Sequence, residues 1–216
     1  IQSDGMDYKG YNIAVHEFGH NVEQTISLFE VDYYLLNGVP STAFTEALAF
    51  IFQKRDLELL GFPNVDPDKE HLLALDNFWA CYEIMGVSIV DMRVWKWLYE
   101  HPQATPAELR DAVVRIATEV WNLYYADVFG IPDQPILGIY SQMIVAPLYL
   151  SAYPVGHLID FQIEGQLKGN QFADEVWRIY KTGRLIPELW MKEAVGSGIS
   201  IKPMIEATDA ALKAVS

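Results

Sequence analysis

Helical signals dominate the alternation of apolar and polar positions, and no paired strands flank an Asn-Gly or Asp-Gly turn. Tyr11, Ile13, Ala14, Val15 and Phe18, then Ile26, Leu28 and Phe29, predict a largely buried helix over about residues 8–29. Asn37-Gly38-Val39-Pro40 reads as a turn. Ser41 or Thr42 then caps a second helix reaching about residue 60, with Gly61 as its stop. Asp66 before Pro67 starts a third, acidic in its first turn, which pauses near Gly86 and resumes over 88–99. Thr105-Pro106-Ala107-Glu108 is the clearest boundary: threonine caps, proline takes the first helical position and glutamate closes a capping box. That helix is expected to run to about Phe129, before Gly130. A long apolar helix over about 134–167, kinked at Pro147 and Pro154, comes next, followed by three shorter ones over 171–181, 186–194 and 203–215. With no repeat, low-complexity tract or linker, residues 1–216 read as one all-α domain.

Inside the first predicted helix lies His16-Glu17-Phe18-Gly19-His20. Positions i and i+4 share a helix face, so both imidazoles can reach one metal ion, while Glu17, about 100° round the helix, can touch a water on that ion. This is the H-E-x-x-H arrangement of zinc peptidases. Histidine is scarce, five in 216 residues, so the pattern arises by chance on the order of once in several hundred such chains. Two buried histidines and a buried glutamate on one helix are expensive unless something satisfies them, and a metal does.

Composition narrows the functional classes. Apolar content of 51% and six tryptophans exclude a disordered chain. A net charge of −14 argues against nucleic-acid binding, which needs concentrated Lys and Arg. The same charge is compatible with capture of cationic peptides and is accounted for by solubility alone. Cys81, the single cysteine, excludes an internal disulfide and a thiolate cluster, and among Phe78, Trp79, Ala80 and Tyr82 it reads as a small buried hydrophobe. The absence of disulfides is compatible with a cytoplasmic home, the compartment expected, and does not establish it. No signal peptide or membrane span is visible, since the most apolar stretch, 136–163, is broken by Gln142, Pro147, Pro154, His157 and Asp160. The chain begins without methionine, and the expectation is a piece of a longer protein.

A catalytic zinc takes three protein ligands and keeps one position open. The extended H-E-x-x-H-x-x-G-x-x-H pattern is excluded, because Glu23 and Ile26 stand where its glycine and third histidine belong. The other class draws a glutamate from a second helix. Glu46, 26 residues after His20, is the one charge in the apolar stretch 43–52, and a buried glutamate opposite two histidines is hard to explain without an ion.

An H-E-x-x-H helix followed after about 25 residues by a glutamate in an apolar helix resembles the thimet oligopeptidase and neurolysin family, and the related angiotensin-converting enzyme fold. Two further segments are similar to theirs: Ala152-Tyr153-Pro154-Val155-Gly156-His157-Leu158-Ile159-Asp160-Phe161-Gln162-Ile163, matching a tyrosine-bearing helix, and the glycine turn at Gly198 leading through Pro203 to the last helix. The resemblance implies the helical catalytic half of a zincin-type metallopeptidase with a minor upstream sheet missing, a deep channel, Zn2+ as cofactor and short peptides as substrates. It implies that Tyr153 donates to the reaction intermediate. Where that family places partners, this chain has Leu150 and Met143, which leaves His157 and Tyr149 as further donors.

On these readings His16, His20 and Glu46 hold zinc, Glu17 is the general base, and Tyr153 with His157 assists. Glu23, Asp160 and Glu164 are the carboxylates expected to orient the histidines. The alternatives are a non-catalytic helical module, with structural zinc or a peptide-binding cleft, and metal-assisted hydrolysis of another amide.

Overall fold

A computed structural model describes residues 5–62 and 67–215. Among them are eleven α-helices and no β-strand, an all-α fold. Contacts divide the chain into two compact units, Ile1–Phe78 with Val155–Ser216, and Trp79–Pro154.

In the first unit, α1 (Tyr8–Phe29) and α2 (Thr42–Gln53) form the most extensive helix pair. Asp7 caps α1 by accepting from the Gly10 N–H, satisfying one of the donors a helix start leaves open. Only a stripe of α1 is buried (Val15, Gly19, Glu23, Ile26 and Ser27), while Ile13, Phe18 and Phe29 are exposed, so the expectation of a largely buried helix is corrected. By contrast α2 is buried nearly all round, with Phe44, Ala47, Leu48, Ala49 and Ile51 at 1% exposure or less.

α2 also stops earlier than predicted. Lys54 and Arg55 leave the helix to pair with Asp160 and Glu164, and the Arg55 guanidinium donates back to the Ile51 carbonyl, one of those the helix end leaves open. The short α3 (Asp56–Leu59) follows, and Gly61 turns the chain at φ 81°. Ser41 stands at the N-cap without a side-chain hydrogen bond. The expected start at Asp66 lies outside the described residues; α4 covers Lys69–Glu100. α8 (Ala152–Leu167), which enters this unit at Val155, with α9 (Phe172–Tyr180), α10 (Pro187–Val195) and α11 (Lys202–Val215), completes its helices. Its core includes Tyr180, whose hydroxyl donates to the Phe44 carbonyl, and Trp190, edge-on to both rings.

The second unit takes most of α4, then α5 (Pro106–Tyr124), α6 (Ala126–Phe129) and α7 (Gln142–Val145) around Val90, Val94, Ala117 and Val120. The capping box at Thr105 and Glu108 is formed as predicted. α4 does not pause at Gly86. The Tyr125 hydroxyl enters its hydrogen-bond ladder there, accepting from the Gly86 N–H at 2.8 Å and donating to the Tyr82 carbonyl at 2.6 Å. A Cβ on residue 86 would fall 2.4 Å from the Tyr125 ring, so glycine serves close approach, not a break.

The single long helix expected over 134–167 is broken into the 3₁₀ turns Ile136–Gly138 and Tyr149–Ser151 and the α-helices α7 and α8. Ala146, ahead of Pro147, takes φ −142° and ψ 73°, outside the helical region as a following proline demands, and Leu148 has φ 63°. Pro154 sits in the first turn of α8, where a missing N–H removes no ladder bond. By length and composition α4 is apolar enough to cross a membrane, a test that buried core helices also pass.

Candidate metal centre

Glycine positions α2 between two neighbours. A Cβ on Gly19 of α1 would lie 2.7 Å from the Ala49 Cα, and one on Gly156 of α8 would lie 3.0 Å from the Glu46 Cβ. At Gly19 α1 approaches α2 more closely than a side chain permits, and at Gly156 α8 leaves room for a Cβ only if its neighbours give by a few tenths of an ångström. Glu46, 1% exposed, is held between these two contacts and faces the histidine side of α1.

The predicted ligands converge. His16 Nε2 is 3.3 Å and His20 Nε2 3.7 Å from one oxygen, Oε2, of Glu46. The three ligand atoms all lie within 4.8 Å of one another, and the two rings meet edge to face. Ligands about 2.1 Å from a tetrahedral zinc stand about 3.4 Å apart, and the two short separations are close to that spacing. Two imidazoles and a carboxylate are also a donor set that zinc accepts. These residues could hold a metal ion.

Electrostatics around the group are uneven. Burial alone would lower the His16 pKa, but the hydrogen bond and charge of Glu46, with Gln53 and Glu17 adding, leave it raised. For His20, burial outweighs the attraction of Glu46, the neighbouring His16 lowers the pKa further, and the net value is below the ordinary one. Glu17 is exposed, not buried as expected, and its carboxylate acts on both histidines.

The expected orienting carboxylates lie elsewhere. Buried Glu23 bonds Ser27, Asp160 is bonded by Lys54 and Asn77, and Glu164 clamps Arg55 through two hydrogen bonds of 2.5 and 2.9 Å. Asp160 is fully buried, which pushes its pKa up to about 6 against the pull of Lys54. Gln53 does the orienting instead: its Oε1 accepts from His16 Nδ1 at 3.0 Å. A search for acids misses it. Its spacing of seven from Glu46, two turns along the same face of α2, is the signal that finds it.

His157, one turn after Tyr153, stacks flat on Phe50 at 3.9 Å, and Phe50 in turn lies 5.3 Å from the His16 ring. Burial, reinforced by Lys54 and His16, pushes its pKa down to about 3, so it is neutral at physiological pH, and its Nδ1 is buried with no hydrogen-bond partner. Tyr153 belongs to the second unit, where it packs on that unit's core and meets Tyr149 edge-on. Cys81 is buried, its thiol pushed up to about 11 and donating to the Pro154 carbonyl, which suits a small hydrophobe.

A cavity of about 840 Å³ lies away from these ligands, lined by Lys54, Arg55, Asn77, Phe161 and Glu164 among others. No family model matches the chain, and no curated protein matches it.

Proposed function

We propose that this protein is a zinc-dependent metallopeptidase acting on short peptides, with His16, His20 and Glu46 as ligands and Glu17 as general base. The observation that carries the reading is the approach of both Nε2 atoms, 3.3 and 3.7 Å, to a single oxygen of a buried carboxylate. Zinc bound there would lower the pKa of a coordinated water toward about 7 and polarise a carbonyl. The chain's own residues do the rest. His16 and His20 each offer Nε2, and Glu46 neutralises part of the ion's charge from inside the fold. Glu17, next to His16 and exposed toward solvent, can accept a proton on its carboxylate and return it to a leaving amine. A purely structural site has no use for such a base beside its ligands and closes its fourth position. Among the described residues, no further His, Cys, Asp or Glu joins the group.

The test is incubation of the zinc-loaded protein with a pool of short peptides, read by mass spectrometry beside Glu17→Gln. Cleavage by the parent with loss of at least a hundredfold in the variant, zinc content unchanged, is expected. Equal cleavage by both removes Glu17 as the base, and zinc binding without cleavage by either favours the non-catalytic module.

A further inference from the structure

A chain of polar side chains leads away from His16 and ends on an acid. His16 Nδ1 meets Gln53 Oε1 at 3.0 Å, Gln53 Nε2 donates to Asn12 Oδ1 at 2.6 Å, and Asn12 Nδ2 donates to Asp56 Oδ2 at 2.8 Å. Asp56 is 5% exposed, and its carboxylate also accepts from the Tyr8 hydroxyl on Oδ2 at 2.7 Å and from the Leu57 N–H on Oδ1 at 2.6 Å. We propose that Asp56 is a positioning residue that fixes, through Asn12 and Gln53, which nitrogen of His16 carries a proton and which is left for a metal. The proposal rests on the metal-centre reading above.

The reasoning is one of donors and acceptors. An ionised carboxylate only accepts, so Asn12 must turn its NH₂ toward Asp56 and its oxygen toward Gln53. A primary amide has one donating and one accepting end, so Gln53 must then give its NH₂ to Asn12 and its oxygen to His16. An oxygen at 3.0 Å from Nδ1 demands a proton there. Nε2, on the Glu46 side, is left as the ligand atom. Neither amide can choose its direction alone; the acid at the end of the chain chooses for both.

Asp56→Asn should therefore reverse the chain. The Leu57 N–H still needs an oxygen, so the new amide nitrogen takes the place of Oδ2 and faces Asn12. Asn12 and Gln53 then flip in turn, Gln53 presents N–H to His16, and Nδ1 loses its proton. Adding Gln53→Glu restores an acceptor at Nδ1 whatever Asn12 does. The measurements are the ¹⁵N shifts of the metal-free His16 ring at mildly alkaline pH, with His20 as internal reference, and zinc affinity by chelator competition. We expect Nδ1 to be protonated in the parent and bare in Asp56→Asn, where zinc affinity falls about 10- to 100-fold. Both properties should recover in the double variant. Recovery there also shows that the single variant's loss is not unfolding. Should Asp56→Asn fail to fold, Gln53→Lys, which offers His16 only a donor, must show the same loss of affinity. A protonated Nδ1 with unchanged affinity in Asp56→Asn, or no recovery in the double variant, overturns the proposal while leaving the metal centre standing. A parent that binds no zinc sinks the metal reading instead, and the nitrogen shifts still decide the relay.

Discussion

Gly19 lies between the two histidines of His16-Glu17-Phe18-Gly19-His20, yet its effect is on packing and is measurable without any metal. An alanine there places its Cβ 2.7 Å from the Ala49 Cα, 3.2 Å from the Leu48 carbonyl oxygen and 3.2 Å from the Phe52 Cβ. Carbon atoms in ordinary contact stand about 3.5–4.0 Å apart, so α1 must withdraw from α2 by roughly 1 Å at this point. None of the three atoms is the free end of a flexible side chain, so local adjustment does not relieve the clash. Overpacking costs about 1–3 kcal/mol, and a backbone clash belongs in the upper part of that range. Replacing a helical glycine by alanine returns about 1 kcal/mol. The net expectation for Gly19→Ala is a loss of about 1–2 kcal/mol.

Gly165→Ala is the comparison that isolates the packing effect. Gly165 is also helical, in α8, but is exposed, and a Cβ there meets nothing within 4 Å. The helical gain then stands alone, a stabilisation of about 0.5–1 kcal/mol. Urea unfolding followed by far-UV circular dichroism should place the two variants on opposite sides of the parent. A Gly19→Ala protein as stable as the parent would refute the close approach of α1 and α2, and with it the geometry that carries His20 to Glu46.

Two further outcomes follow from the same structure. Glu46→Gln keeps the volume of the proposed third ligand and removes its charge, so zinc at a hundredfold excess over the parent's Kd, which would stabilise the parent by about 2.7 kcal/mol, should raise the variant's thermal midpoint little; an equal rise in both would send the search for a ligand elsewhere. His157→Phe keeps the stack on Phe50 and removes a histidine whose folded pKa, about 3, lies below its unfolded value. A depressed base loses stability as pH falls from its unfolded pKa toward its folded one, so between pH 7.5 and 5.5 the parent should lose roughly 1 kcal/mol relative to the variant; Asp160, which titrates near 6, is common to both and cancels. Parallel stability curves would contradict the burial of His157.

The features legible in the sequence are those with local causes. α1 spans Tyr8–Phe29 as its apolar pattern predicts, and the Thr105 capping box forms because all its partners lie within four residues. Glu46 stands out because it is a lone acid in an apolar helix, and the fold brings it within 3.3 and 3.7 Å of the His16 and His20 Nε2 atoms. What escaped has causes far along the chain. The end of α2 depends on Asp160 and Glu164, more than a hundred residues away. Gly86 reads as a helix breaker until Tyr125 is seen to occupy the space its missing side chain leaves. Gln53 is hidden in the sequence for a chemical reason: an amide is not an obvious orienting group until something gives it a direction, and Asp56, which does so, acts through Asn12 on a different helix.

The same residues explain why packing and site chemistry are not separable in the first unit. α2 supplies both Glu46, the buried acceptor, and Gln53, the acceptor for the far side of the His16 ring, two turns apart on one face. His16 is thus gripped from both nitrogens by groups on one rigid helix, and the distance between that helix and α1 is set at Gly19, between the two histidines in the motif. A change that moves α1 by a fraction of an ångström alters both grips together, because a close-packed interior transmits the displacement instead of absorbing it. Without an ion, His16 faces acceptors on both sides, and its raised pKa follows from that arrangement. A proton and a metal then compete for the same Nε2. The glycine that permits the close approach, the acid that demands a partner and the amide that turns the ring form one geometric unit, and disturbing any of the three should be felt at the other two.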